Sequence, residues 1–73
     1  MDIDKKEFVE DIRDFVRYLI FKGIKVASIA RAVKHKSSST IRSLKFGYET
    51  AVKIKFSYIN NYKIYKKEKN EKE

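Results

Sequence analysis

The sequence predicts an all-α domain of about four helices, and three observations carry that prediction. Breakers are scarce: among 73 residues there is no proline, and the two glycines are Gly23 and Gly47, so little interrupts a helix. Apolar residues in the first third recur three and four apart, the spacing of one helical face. The glycines and a Ser/Thr run at residues 37–40 fall where such faces stop.

Phe8, Ile12, Phe15, Val16, Leu19 and Ile20 form one stripe and predict a first helix over residues 4–22. Asp4 followed by Glu7 has the form of a capping box and sets negative charge at the positive end of the helix dipole. Lys22 and Gly23 close the helix with a cation and then a residue that accepts positive φ. Val26, Ile29, Ala30 and Val33 give a short second helix, and Ala30 is small enough for a close crossing. Lys34-His35-Lys36 ends its pattern. Ser37, Ser38, Ser39 and Thr40 are N-cap formers. Ile41 and Leu44 then point inward and Gly47 supplies a stop, so a third helix is expected over residues 38–46. Its outer face carries Ser38, Arg42 and Lys45, with Ser39 and Ser43 beside them, and holds no acid and no apolar residue.

Residues 50–66 admit two readings. As a helix, they place Ala51, Ile54, Tyr58, Tyr62 and Tyr65 on one stripe, with Val52, Phe56 and Ile59 beside it. As a strand, Val52, Ile54, Phe56 and Tyr58 alternate with Lys53, Lys55 and Ser57, and Asn60-Asn61 turns a hairpin back through Tyr62 and Ile64. The alternative architecture is therefore three helices with a C-terminal β-hairpin wing. Residues 1–66 are expected to form one domain. Residues 67–73, charged and free of apolar side chains, are expected to be a disordered, solubilising tail.

Residues 22–67 hold twelve of the eighteen basic side chains and one of the ten acidic ones. The chain carries +8 overall, and a field so concentrated is the footprint of a protein that meets a polyanion. Enzyme chemistry is not expected, because one histidine, no cysteine and no glycine-rich loop leave neither a base–nucleophile pair nor a phosphate cradle. Asp11 and Asp14 share a face at i, i+3, yet no histidine lies near them in sequence, and the acids of the first helix read as its solvent face. No metal, cofactor or small-molecule ligand is expected. The longest apolar run is residues 18–21, far short of a membrane span. The first apolar residues are interspersed with charges rather than gathered into a leader, so the expected location is the cytoplasm. A chain of this size buries only about 60% of its unfolded surface, and a homodimer is the expected supplement to its core.

Within residues 25–47, Ile29-Ala30 in the second helix, Ser39-Thr40-Ile41-Arg42 opening the third and Phe46-Gly47 closing it form a recognisable set. They resemble the helix-turn-helix of phage-type repressors, the lambda repressor/Cro-like (Xre-type) family. The chain departs from that pattern at Val26, where the family usually has Gln, and at Lys34, which stands in place of the turn glycine. The separation of Ala30 from Ile41 is also one residue longer, which widens the turn. The resemblance implies a sequence-specific double-stranded DNA-binding transcriptional regulator, a repressor or Cro-like switch of phage or mobile-element type. It further implies that Ile29, Ala30, Ile41 and Leu44 are core and that Ser38, Ser39, Thr40 and Arg42 face the major groove.

The side chains suit that role. A helix in the major groove reads base edges with its N-terminal half. Ser38, Ser39 and Thr40 offer short hydroxyls, Arg42 offers a fork for guanine worth roughly 1–3 kcal/mol against a wrong base, and Lys45 lies a turn further on. Expected phosphate contacts are Lys25, Lys34, His35, Lys36, Ser37 and Ser43 around the reading helix, with Lys53 and Lys55 on the neighbouring element. Tyr58, Tyr62 and Tyr65 read as core or dimer interface rather than as stacking platforms for bases. Two other functions fit less well. A hairpin wing implies an excisionase-like accessory protein. A protein-binding inhibitor module runs against the net charge, since such inhibitors are usually acidic.

Overall fold

The computed structural model describes residues 3–34 and 38–71. Among the described residues five α-helices follow one another: α1 (Ile3–Phe21), α2 (Val26–Ala32), α3 (Ser38–Arg42), α4 (Tyr48–Ser57) and α5 (Ile59–Glu71). No strand occurs among the described residues, so the domain is all-α and the hairpin wing is excluded. The period-two set fails because its members do not share a face: Ile54 is 0% exposed whereas Phe56 is 64% exposed. An excisionase-like architecture thereby loses the element it requires.

The helices meet as α1 on α4 and α2 on α3, with α5 laid across α1 and α4. Val9, Ile12, Phe15, Val16 and Leu19 of α1 enter one core with Ile29, Ala30, Val33, Ile41, Phe46, Ala51 and Ile54. Full burial of such side chains contributes roughly 1.5–3 kcal/mol each before entropy is counted. Ile20 lies at the rim, outside the buried stripe.

α1 ends as its sequence dictates. Gly23 adopts φ 97, its N–H donates to the Ile20 carbonyl at 3.0 Å, and the Ile24 N–H donates to the Leu19 carbonyl at 3.0 Å. This pair of bonds is a Schellman cap, and it requires a left-handed residue at that point. α2 and α3 use the same left-handed exit without a glycine, at Lys34 (φ 56) and Leu44 (φ 63).

The expected third helix over residues 38–46 is corrected by Leu44. Its N–H bonds the Ile41 carbonyl and the Lys45 N–H bonds the Thr40 carbonyl, both at 3.1 Å, so the helical run stops at Arg42 and the cap follows. Packing explains the early stop. Ile41 and Phe46 are both buried, yet five residues along a helix would set them about 140° apart. The left-handed turn brings both inward. Gly47 is consequently not a C-terminal stop. It is the extended N-cap of α4 (φ −95, ψ −170), with no side-chain cap.

The expected single helix over residues 50–66 is two. Tyr58 takes φ −124, ψ 42 between α4 and α5, and the break redirects the chain so that Tyr62 and Tyr65 reach α1. Their rings lie 5.2 and 5.3 Å from that of Phe15, and Tyr65 also lies 5.2 Å from Tyr18. The phenol of Tyr62 donates to Asp11 Oδ2 at 2.7 Å. The Lys66 ammonium pairs with the same oxygen at 3.3 Å and that of Lys69 with Oδ1 at 3.5 Å. These contacts carry α5 to Glu71, so residues 67–71 are helical rather than a disordered tail. Asp11 is accordingly not on a solvent face: its side chain is 16% exposed.

Burial works to raise the Asp11 pKa, but the Tyr62 hydrogen bond and the Lys66 and Lys69 charges outweigh it, and the carboxyl sits below its ordinary value. Burial, with the Asp11 charge beside it, pushes the Tyr65 phenol up to about 12. The same causes raise Tyr62 further, so it remains a donor at any working pH.

Candidate nucleic-acid interface

α3 is placed by a single buried side chain on a short element. Ile41 is fully enclosed, and its burial against the core fixes which side of α3 faces out. Ser38, Ser39 and Arg42 are exposed, while Thr40 is half-buried. Lys45 is exposed too, but it lies beyond the helix, after the Leu44 turn, and so does not continue the Ser38–Arg42 row along one helical face. Ser43 Oγ donates to the Thr40 carbonyl at 3.2 Å. That carbonyl also accepts from the Lys45 N–H, and the two bonds tie the end of α3 to the connection that follows.

The expected phosphate contacts divide. Lys25 is exposed at the N-cap of α2. Lys34 and Lys53, distant in sequence, come together on the rim of one open groove of about 400 Å³, lined also by Ala32, Val33, Val52, Phe56 and Ser57. Lys55 does not join them. It is half-buried, and its ammonium stands over the rings of Phe8, Phe56 and Tyr62 at 5.7, 5.8 and 5.2 Å, where cation–π attraction holds it. His35, Lys36 and Ser37 lie outside the described residues.

Tyr58, Tyr62 and Tyr65 pack against the core, although the single helical stripe expected to carry them is broken at Tyr58. Two basic residues that sequence reasoning passed over, Arg13 and Arg17 of α1, line a cleft with Ser43 and Leu44. The available signal was their i, i+4 spacing within a helix whose other charges are mostly acidic.

No group of three His, Cys, Asp or Glu side chains among the described residues is placed to hold a metal, and no described helix is long and apolar enough to cross a membrane. What the exposed residues offer chemically is hydroxyl, guanidinium and ammonium donors. No family model, curated protein or solved structure matches the chain.

Proposed function

We propose that this protein is a sequence-specific double-stranded DNA-binding regulator that acts in the cytoplasm, a repressor or Cro-like switch of the phage or mobile-element kind, with α3 in the major groove. The observation that supports it best is the outward face of α3. Ile41 is turned wholly inward, which leaves Ser38, Ser39 and Arg42 exposed, and Lys25, Lys34, Lys45 and Lys53 are exposed as well, with Lys34 and Lys53 on one groove. Bidentate Arg contact to a guanine edge specifies sequence, whereas lysine contacts to phosphates fix register without reading it. Two copies acting on a two-fold operator would set their reading helices about 34 Å apart.

The test compares two alanine variants by gel shift on a selected duplex and on a random one. Arg42→Ala is expected to lose the preference between the duplexes, at a cost of about 1–3 kcal/mol on the selected site. Lys53→Ala is expected to weaken both duplexes alike. Equal, sequence-blind weakening by both variants would remove α3 as the reading element.

A further inference from the structure

The polar cleft between α1 and the α3–α4 connection has a volume of about 450 Å³ and is lined by Glu10, Arg13, Asp14, Arg17, Ser43 and Leu44. Arg13 sits in it half-buried. Its Nε is buried with no hydrogen-bond partner, and no ion pair reaches it among the described residues. A buried donor without an acceptor is costly. The neighbouring acids do not resolve this. Glu10, one turn before Arg13, lines the cleft without pairing it. Asp14 faces Arg17 instead, at 3.8 Å, with both side chains largely in water (58% and 72% exposed), so that pair holds Arg17 only weakly.

We propose that this cleft seats a backbone phosphate of the duplex, with the Arg13 guanidinium as its principal donor and Arg17 and the Ser43 backbone end as its borders. The assignment rests on the DNA-binding reading of α3. It adds a helix that the sequence presents as acidic to the bound surface. The geometry favours a phosphate over a base edge. The cleft lies just past Arg42 on the chain segment that leaves α3, so a groove-bound α3 brings a sugar–phosphate strand there. A guanidinium fork matches the oxygens of a phosphodiester. Glu10 and Asp14 then oppose the anion and limit affinity, which gives the proposal a sign that a merely structural Arg13 lacks.

The experiment measures fluorescence anisotropy of a duplex recovered from a random pool, and of an unrelated duplex, against potassium chloride concentration. Arg13→Gln is expected to weaken both duplexes about fivefold or more at roughly 100 mM salt and to lower the slope of log K against log salt by about one. Arg13→Lys is expected to keep that slope, since it keeps the charge, and to recover only part of the affinity. Glu10→Gln is expected to tighten both duplexes by about twofold or more, and it carries the test if melting curves find Arg13→Gln unfolded. Affinity and slope unchanged in Arg13→Gln, or Glu10→Gln no tighter than the wild type, would overturn the seat while leaving α3 as a reader. Absence of binding to any duplex by the wild type would overturn both. The Arg13 Nε–H resonance separates the two sources of a phosphate: it is expected to shift with duplex at equimolar ratio and not with millimolar inorganic phosphate. A shift with inorganic phosphate alone would make the cleft a free-anion site and overturn the assignment.

Discussion

At the scale of single residues, this domain closes two of its helices with side-chain-bearing residues in a conformation that glycine occupies most readily. Lys34 and Leu44 carry φ 56 and 63, and a left-handed L-residue costs roughly 1–2 kcal/mol. Leu44 gains contact with the core in return. Lys34 is exposed and lines the groove beside Lys53, so packing offers it little compensation. Lys34→Gly is therefore expected to raise stability by about 0.5–1 kcal/mol, read as a higher urea midpoint at unchanged slope. In the proposed function the same substitution weakens binding to every duplex alike, because it deletes a phosphate contact. A variant that is both less stable and undiminished in binding would contradict both statements. Lys55 differs in kind: its ammonium is engaged with three rings, so its loss belongs to the fold rather than to the surface.

At the scale of elements, the attachment of α5 is the clearest case of polar and aromatic contacts acting together. Removing the Tyr62 hydroxyl leaves its ring against Phe15 but takes the 2.7 Å hydrogen bond from Asp11. Tyr62→Phe is expected to cost about 1 kcal/mol in urea unfolding. The acid dependence has a definite sign. Asp11 titrates below its ordinary value in the folded chain, and an unfolded aspartate titrates near about 3.9. Its contribution is therefore fully present above that value and is lost as pH falls through the lower folded value. Urea midpoints measured from about pH 6 down to about pH 2.5 are expected to fall less in Asp11→Asn than in the wild type. Equal losses would remove Asp11 as the clamp. Much of this element level was legible in the residues. The stripe from Phe8 to Leu19 placed α1, Gly23 placed its end, and the Ile29, Ala30 and Ile41 positions placed the α2–α3 pair. Three features were not legible, each because a distant contact decided it. The demand that both Ile41 and Phe46 be buried ended α3 at Arg42 and put a leucine in the left-handed turn after it, which no turn rule singles out. The break at Tyr58 serves rings on α1. The helical tail depends on Asp11, some 55 residues before Lys66, while its own Lys/Glu composition looks like a solvated end. The cleft around Arg13 was hidden for the same reason, since Ser43 and Leu44, about 30 residues further along the chain, complete its lining.

At the scale of the whole molecule, charge and core point in complementary directions. The core draws on α1 to α4 and the connections between them, while positive charge is concentrated from residue 22 onward and the acids gather on α1. A duplex bound through Lys25, Lys34, Lys45 and Lys53 would meet four phosphates. Each contributes a slope of about −0.9, so affinity is expected to fall about a hundredfold between roughly 50 and 200 mM salt. Binding indifferent to salt over that range would contradict a phosphate-dominated surface. The brevity of α3 sets a limit on what one copy can distinguish. Five residues rise about 7.5 Å, little more than two base-pair steps of about 3.4 Å. In the proposed function, an element of that span would inspect too few letters to single out one address in a genome, and discrimination would then come from repetition: a mirrored pair of short words at fixed spacing, scanned by two copies at once.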